Sequence, residues 1–126
     1  MLWSLFFFAC GDKSTDSASE LPPATFTDIE NDLLGVSCAF EGVCHGSSAG
    51  GLKLDGINDY DRLVNVEAIN GNGIYVIPNN ADGSYLVHKV EGGPDIIGDQ
   101  MPNSQGISEE QLRMLRSWID NGAPNN

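Results

Sequence analysis

Apolar residues recur at helical spacing in four short stretches of this chain, and glycine-rich or polar runs separate them. The last stretch carries the fullest signal. Leu112, Leu115, Trp118 and Ile119 form one apolar stripe, the i, i+3, i+4 pattern of a helix packed on one face. Ser108 stands where an N-cap belongs, and Gln111 three residues later completes a capping box. Glu109 and Glu110 suit the positive end of the helix dipole, and Gly122 followed by Pro124 marks the stop. An earlier helix is expected from near Thr27 or Asp28, with Ile29, Leu33, Leu34 and Val36 on its inner side. Asp59 to Val66 reads as a short helix with Leu63 and Val64 inward. Asp82-Gly83-Ser84 opens another, in which Tyr85, Leu86 and Val90 face the core, and Gly92, Gly93 and Pro94 end it. Between these, Leu52 and Leu54 sit in a short apolar segment between glycines. Gly71-Asn72-Gly73 marks a turn, and Ile74 to Ile77 reads as extended. No internal repeat and no long alternating run typical of strands is present, so the pattern predicts a mostly α domain with long loops.

The first nine residues do not belong to that domain. Met1 to Ala9 are almost entirely apolar, yet the run is far too short to span a bilayer. It ends in Phe7-Phe8-Ala9-Cys10 and then Gly11-Asp12. A short apolar run, a small residue, a cysteine and a polar tail resemble a bacterial lipoprotein signal, in which the peptide is cut before the cysteine and the cysteine is lipidated. A plain signal peptide or a disordered end is the other reading. Residues 1–9 are expected to be a signal segment and in every case stand outside the fold. Residues 10–24 then comprise Cys10, the lipidation candidate, and a flexible tether. The folded domain is expected over 25–126. The resulting location is the bacterial cell envelope, lipid-anchored and facing the periplasm or the exterior.

Composition narrows the partners. The formal net charge is −12, from 18 acidic against 6 basic residues in 126. Nucleic-acid binding needs clustered Lys and Arg, so it is excluded as a class, and a basic protein partner fits better.

The densest chemistry lies at Cys38, Cys44 and His45. Two thiols and an adjacent imidazole are the chemistry of covalent haem attachment, whose usual spacing is C-x-x-C-H. Here five residues, Ala39 to Val43, separate the cysteines. On a continuous helix, cysteines six apart point about 240° apart and are displaced by roughly 9 Å. The extra residues must therefore bulge, and Gly42 permits it. In an oxidising compartment the pair would be thioethers or a disulfide. A Cys38–Cys44 disulfide would close a tiny loop and contribute roughly 2 kcal/mol.

Further segments then line up in order. The Cys-His segment is followed by Gly51-Leu52-Lys53-Leu54, by Ile77-Pro78 with Asp82-Gly83-Ser84-Tyr85-Leu86, by Met101-Pro102, and by Trp118-Ile119-Asp120-Asn121-Gly122-Ala123-Pro124. Over about residues 27–124 this is similar to the small class I type cytochrome c domains, in particular divergent ones of bacterial envelope proteins. The resemblance implies a mostly helical fold around one covalent haem c. It implies Cys38 and Cys44 as attachment points, His45 as proximal ligand and Met101, 56 residues later, as distal ligand. The expected function is that of a lipid-anchored monohaem electron carrier, not an enzyme, working with other redox proteins of the envelope. The alternative is a haem-free envelope lipoprotein of similar fold, with a Cys38–Cys44 disulfide, acting as a binding or structural module.

The remaining candidates have simpler readings. His88 is expected to be an exposed helix residue and stands as reserve distal ligand. Met114 sits mid-helix, as core or surface. Tyr75 and Tyr85 are able to hydrogen-bond a haem propionate, or pack in the core. Asp55, Asn58, Asp59 and Asp61 look like a calcium cluster, but their spacing is not that of an EF-hand. A type 1 copper site would draw on Cys, two His and Met, but the helical pattern does not suit the β-sandwich that carries such sites.

Overall fold

The structure is a computed structural model that describes residues 22–39, 44–102 and 104–126. The expected signal segment, Cys10, most of the tether and the Gly42 bulge lie outside the described residues. The fold is mostly helical. Helix α1 (Phe26–Ile29) opens on Thr25, whose hydroxyl accepts from Asp28 N while the Asp28 carboxylate accepts from Thr25 N. With Thr25 as its cap, the helix starts at Phe26, just before the expected Thr27 or Asp28.

α1 runs straight into a π-helical segment, Glu30–Cys38. The Ala39 amide accordingly donates to the carbonyl of Leu34, five residues back. The wider winding corrects one expectation. Ile29, Leu33 and Leu34 are buried, but Val36 is 59% exposed. An α-helix would set residue i+7 back over Ile29; with more residues per turn, Val36 swings out to solvent.

Helix α2 (Asp59–Leu63) is shorter than expected. Val64 leaves it in extended geometry and pairs with Val76, while Glu67 pairs with Ile74. β-Branched Val64 and Val66 favour this over helix. Helix α3 (Tyr85–Glu91) docks its first turn on the same strip: Tyr85 N donates to Ile74 O and Leu86 N to Tyr75 O. These satisfy amides that a helix start leaves orphaned. The Ser84 hydroxyl, expected at the helix opening, instead accepts from Ile77 N and donates to Asn80 O.

Helix α4 (Glu109–Asp120) carries the expected capping box of Ser108 and Gln111. Its stripe buries Leu115, Trp118 and Ile119 completely. Trp118 meets Phe26 at 5.4 Å between ring centroids and Tyr60 at 6.4 Å, so α1, α2 and α4 share one aromatic centre. The Gln111 amide also reaches the π-helical segment, donating to Asp32 O and Ser37 Oγ. Among the described residues no helix is long and apolar enough to cross a membrane.

Candidate functional site

One side of this core is open. A cavity of about 510 Å³ lies between the end of the π-helical segment, the 45–54 loop, α3 and the 97–104 loop. That volume falls within the ~300–1,000 Å³ of small-molecule sites, and the wall is mostly apolar, as is usual for them. Leu52, Leu54, Leu86 and Val90 supply much of it. Cys38, Cys44, His45 and Met101 all line it. Four residues singled out along the sequence, from three separate stretches, thus face one space.

Each is delivered by a different local device. Cys38 is the last residue of the π-helical segment. Cys44 caps a short 3-10 turn, His45–Ser47. Both thiols are half-buried and unbridged. Burial, reinforced by the neighbouring Cys44 charge, pushes the Cys38 thiol up to about 11. It therefore stays protonated at neutral pH, where a thiol is a poor nucleophile and resists oxidation.

His45 is oriented by backbone. Its Nδ1 lies 3.0 Å from the carbonyl of Leu52, and its own carbonyl accepts from Leu54 N at 2.9 Å. A carbonyl only accepts, so Nδ1 carries the proton and Nε2 of the neutral ring keeps its lone pair. This is the arrangement by which a ligating imidazole is fixed in tautomer and orientation.

Met101 sits at the rim, 37% exposed. Its amide donates to Lys89 O at 2.9 Å, which ties the loop to the end of α3, and the Met101–Pro102 peptide is cis. Tyr75 and Tyr85 also line the cavity, and their hydroxyls accept from Ile69 N and Ile97 N. Each phenol keeps its own proton to donate. Lys89 is the cation of the wall and donates to Ile97 O at 2.6 Å.

The other candidates fall elsewhere. His88 does not line the cavity and its Nε2 contacts the Asp82 carbonyl, so the reserve-ligand reading has no support from its position. His45 lines the cavity without His88, so the two-histidine donor set of a copper site is not assembled there. Met114 packs part-buried against the core. In the acidic cluster, Asp55 pairs with Lys53 at 2.6 Å and Arg62 at 2.8 Å. Asp59 is buried, pairs with Arg62 and accepts from Asp55 N and Gly56 N. These carboxylates knit a loop together. Among the described residues no group of three His, Cys, Asp or Glu side chains converges as a metal site.

Sequence reasoning missed the Leu52 carbonyl, Lys89 and Gln100. A backbone carbonyl carries no residue signal, and Lys89 and Gln100 are ordinary surface types. The donor set fits haem c: two thiols for thioether bonds, an imidazole with a free Nε2, and a thioether sulfur, around an apolar space. No protein-family model, no curated protein and no solved structure matches the chain.

Proposed function

We propose that this chain is a monohaem c-type cytochrome, lipid-anchored through Cys10 in a bacterial cell envelope, and that it carries electrons without making or breaking substrate bonds. The observation behind this is the convergence of Cys38, Cys44, His45 and Met101 on one largely apolar cavity. On this reading the domain is a small cytochrome c-like helical fold. Cys38 and Cys44 would hold the haem through thioethers, and His45 and Met101 would supply the axial donors. The group, when bound, supplies a reversible one-electron iron couple, and imidazole with thioether ligation sets it at a relatively high potential.

The chain's own residues do the rest. The Leu52 carbonyl holds the His45 proton on Nδ1, which leaves the donor nitrogen in place without reorganisation. Leu52, Leu54, Leu86 and Val90 exclude water and lower the local dielectric. The part-exposed Met101 loop offers a partner an edge to approach, and the charge of −12 draws a basic one.

The test is a visible spectrum of full-length protein matured in an export-competent host, with acidic organic extraction. A c-type spectrum whose haem stays with the protein supports the proposal, and Cys38→Ala should then lose one thioether and much of the loaded protein. A colourless protein with a mapped Cys38–Cys44 disulfide would instead establish the haem-free binding or structural module.

A further inference from the structure

α3 ends at Glu91, and Gly92 follows in left-handed geometry at φ 79°. The carbonyls of a last helical turn lack helical partners. Two adjacent ones here are taken by two adjacent loop residues. Lys89 O accepts from Met101 N at 2.9 Å, and Val90 O accepts from the Gln100 side-chain amide at 2.7 Å. The Gln100 carbonyl in turn accepts from Ser104 N at 2.8 Å. The Gln100 side chain lies in a slot walled by two glycines. A Cβ on Gly92 would stand 2.8 Å from its amide carbon, and one on Gly106 would stand 2.3 Å from its nitrogen and 2.6 Å from Val90 O. Both glycines have positive φ, so the slot has a backbone shape that only glycine adopts without cost.

We propose that Gln100 is a positioning residue that sets the Met101 thioether at the cavity. Its purpose rests on the cytochrome reading above; its geometry does not. Methionine has a flexible, unbranched side chain, and at the rim Met101 has little packing to hold it. Its placement therefore depends on how fully the loop backbone is populated in the docked position. A donor in a loop that is docked only part of the time acts with reduced effective affinity, in proportion to that fraction. The Gln100 amide adds a second bond beside that of Met101 N, and both bonds open together if the loop leaves α3.

The full-length chain tests this in two arms. In haem-free protein, native-state hydrogen exchange is read at the Met101 amide. Gln100→Leu should speed it about five-fold, the worth of one neutral hydrogen bond, with α4 amides unchanged. Gln100→Asn, one methylene too short to reach Val90 O, should do the same if the leucine variant does not fold. In haem-loaded protein, added imidazole competes with Met101, so its apparent affinity should rise by the same factor. Gln105→Leu, on the exposed part of the same loop, should move neither readout. Unchanged Met101 exchange overturns the proposal. So does a speeding that extends to α4, since Gln100 would then be a general prop. A chain that takes no haem defeats the cytochrome reading alone, and the exchange arm still decides the role of Gln100.

Discussion

Alkaline pH should destabilise the haem-free chain through one identifiable group. Cys38 has its thiol raised from the ordinary 9.0 to about 11, chiefly by burial and secondarily by Cys44. A folded pKa above the unfolded one means that the folded state holds the proton more tightly. The resulting stability is fully present below about pH 9 and is lost as pH rises through about 11. A gap of about two units corresponds to roughly 2 to 3 kcal/mol, and the partial exposure of the thiol puts the expected effect at the lower end. At a urea slope of about 1 kcal/mol per molar, the unfolding midpoint of the reduced, haem-free protein should fall by roughly 2 M more than that of Cys38→Ala between pH 8 and 11. Taking the difference from Cys38→Ala cancels the contribution of every group common to the two proteins. Cys44→Ala should shrink the difference without abolishing it, because burial is the larger cause. A thioether at Cys38 has no proton to lose, so haem-loaded protein should lack this alkaline limb. Parallel profiles for the parent and Cys38→Ala would refute the reasoning.

Met101→Ala should open the distal site to water and give a high-spin ferric spectrum, while Met101→His should stay six-coordinate with a lower potential; an unchanged low-spin spectrum of Met101→Ala would remove Met101 from the site. Met114→Leu should alter neither spectrum nor potential, because it packs against the core at nearly constant volume, and His88→Ala should be equally silent. Lys53 and then Arg62 hold the Asp55 carboxyl well below the usual carboxylate range; the stability this gives is present above the unfolded pKa and is lost as pH falls from roughly 5. Lys53→Ala and Arg62→Ala should each flatten that acid limb in urea titrations. On the lipid-anchor proposal, Cys10→Ala should release the protein from membranes on fractionation, since acylation would supply most of the anchoring energy, and an equally membrane-bound variant would end that proposal.

What could be read from the chain was what is local. The Ser108–Gln111 box and the Leu112, Leu115, Trp118, Ile119 stripe lie within twelve residues; the box appears as expected, and of the stripe the last three are buried while Leu112 is half-buried at its edge. The convergence of Cys38, Cys44, His45 and Met101 was legible only through their joint order, since nothing local to Met101 says which cavity it faces. The winding of Glu30–Cys38 was not legible, because an α period and a π period share the Ile29, Leu33, Leu34 spacing and part only at Val36. Nor was the Gln100 slot. Gly92 read as a helix stop, which it is, but its second use as a wall depends on Gly106 meeting it across the loop. The Ser84 hydroxyl shows the same limit: its residue type suits a cap, and the fold spends it on Ile77 and Asn80.

The π winding has one more consequence, and it concerns chain length. A π turn is an α turn with one residue too many. Removing a single residue from Glu30–Cys38, exposed Gly35 for instance, would let one π turn relax to an α turn, and because either turn completes one full rotation the residues on both sides would keep their facing. Ile29 and Leu33 would stay in the core on one side, and Cys38 would stay on the cavity wall on the other. Asn31, Asp32 and Val36 are exposed on the outer face, where substitutions leave the core untouched. The segment is thus built to absorb the loss of one residue that a uniform α-helix could not, since there the same deletion would turn everything beyond it by about 100°, and single deletions here and in α4 would expose that contrast where a substitution scan would pass over it.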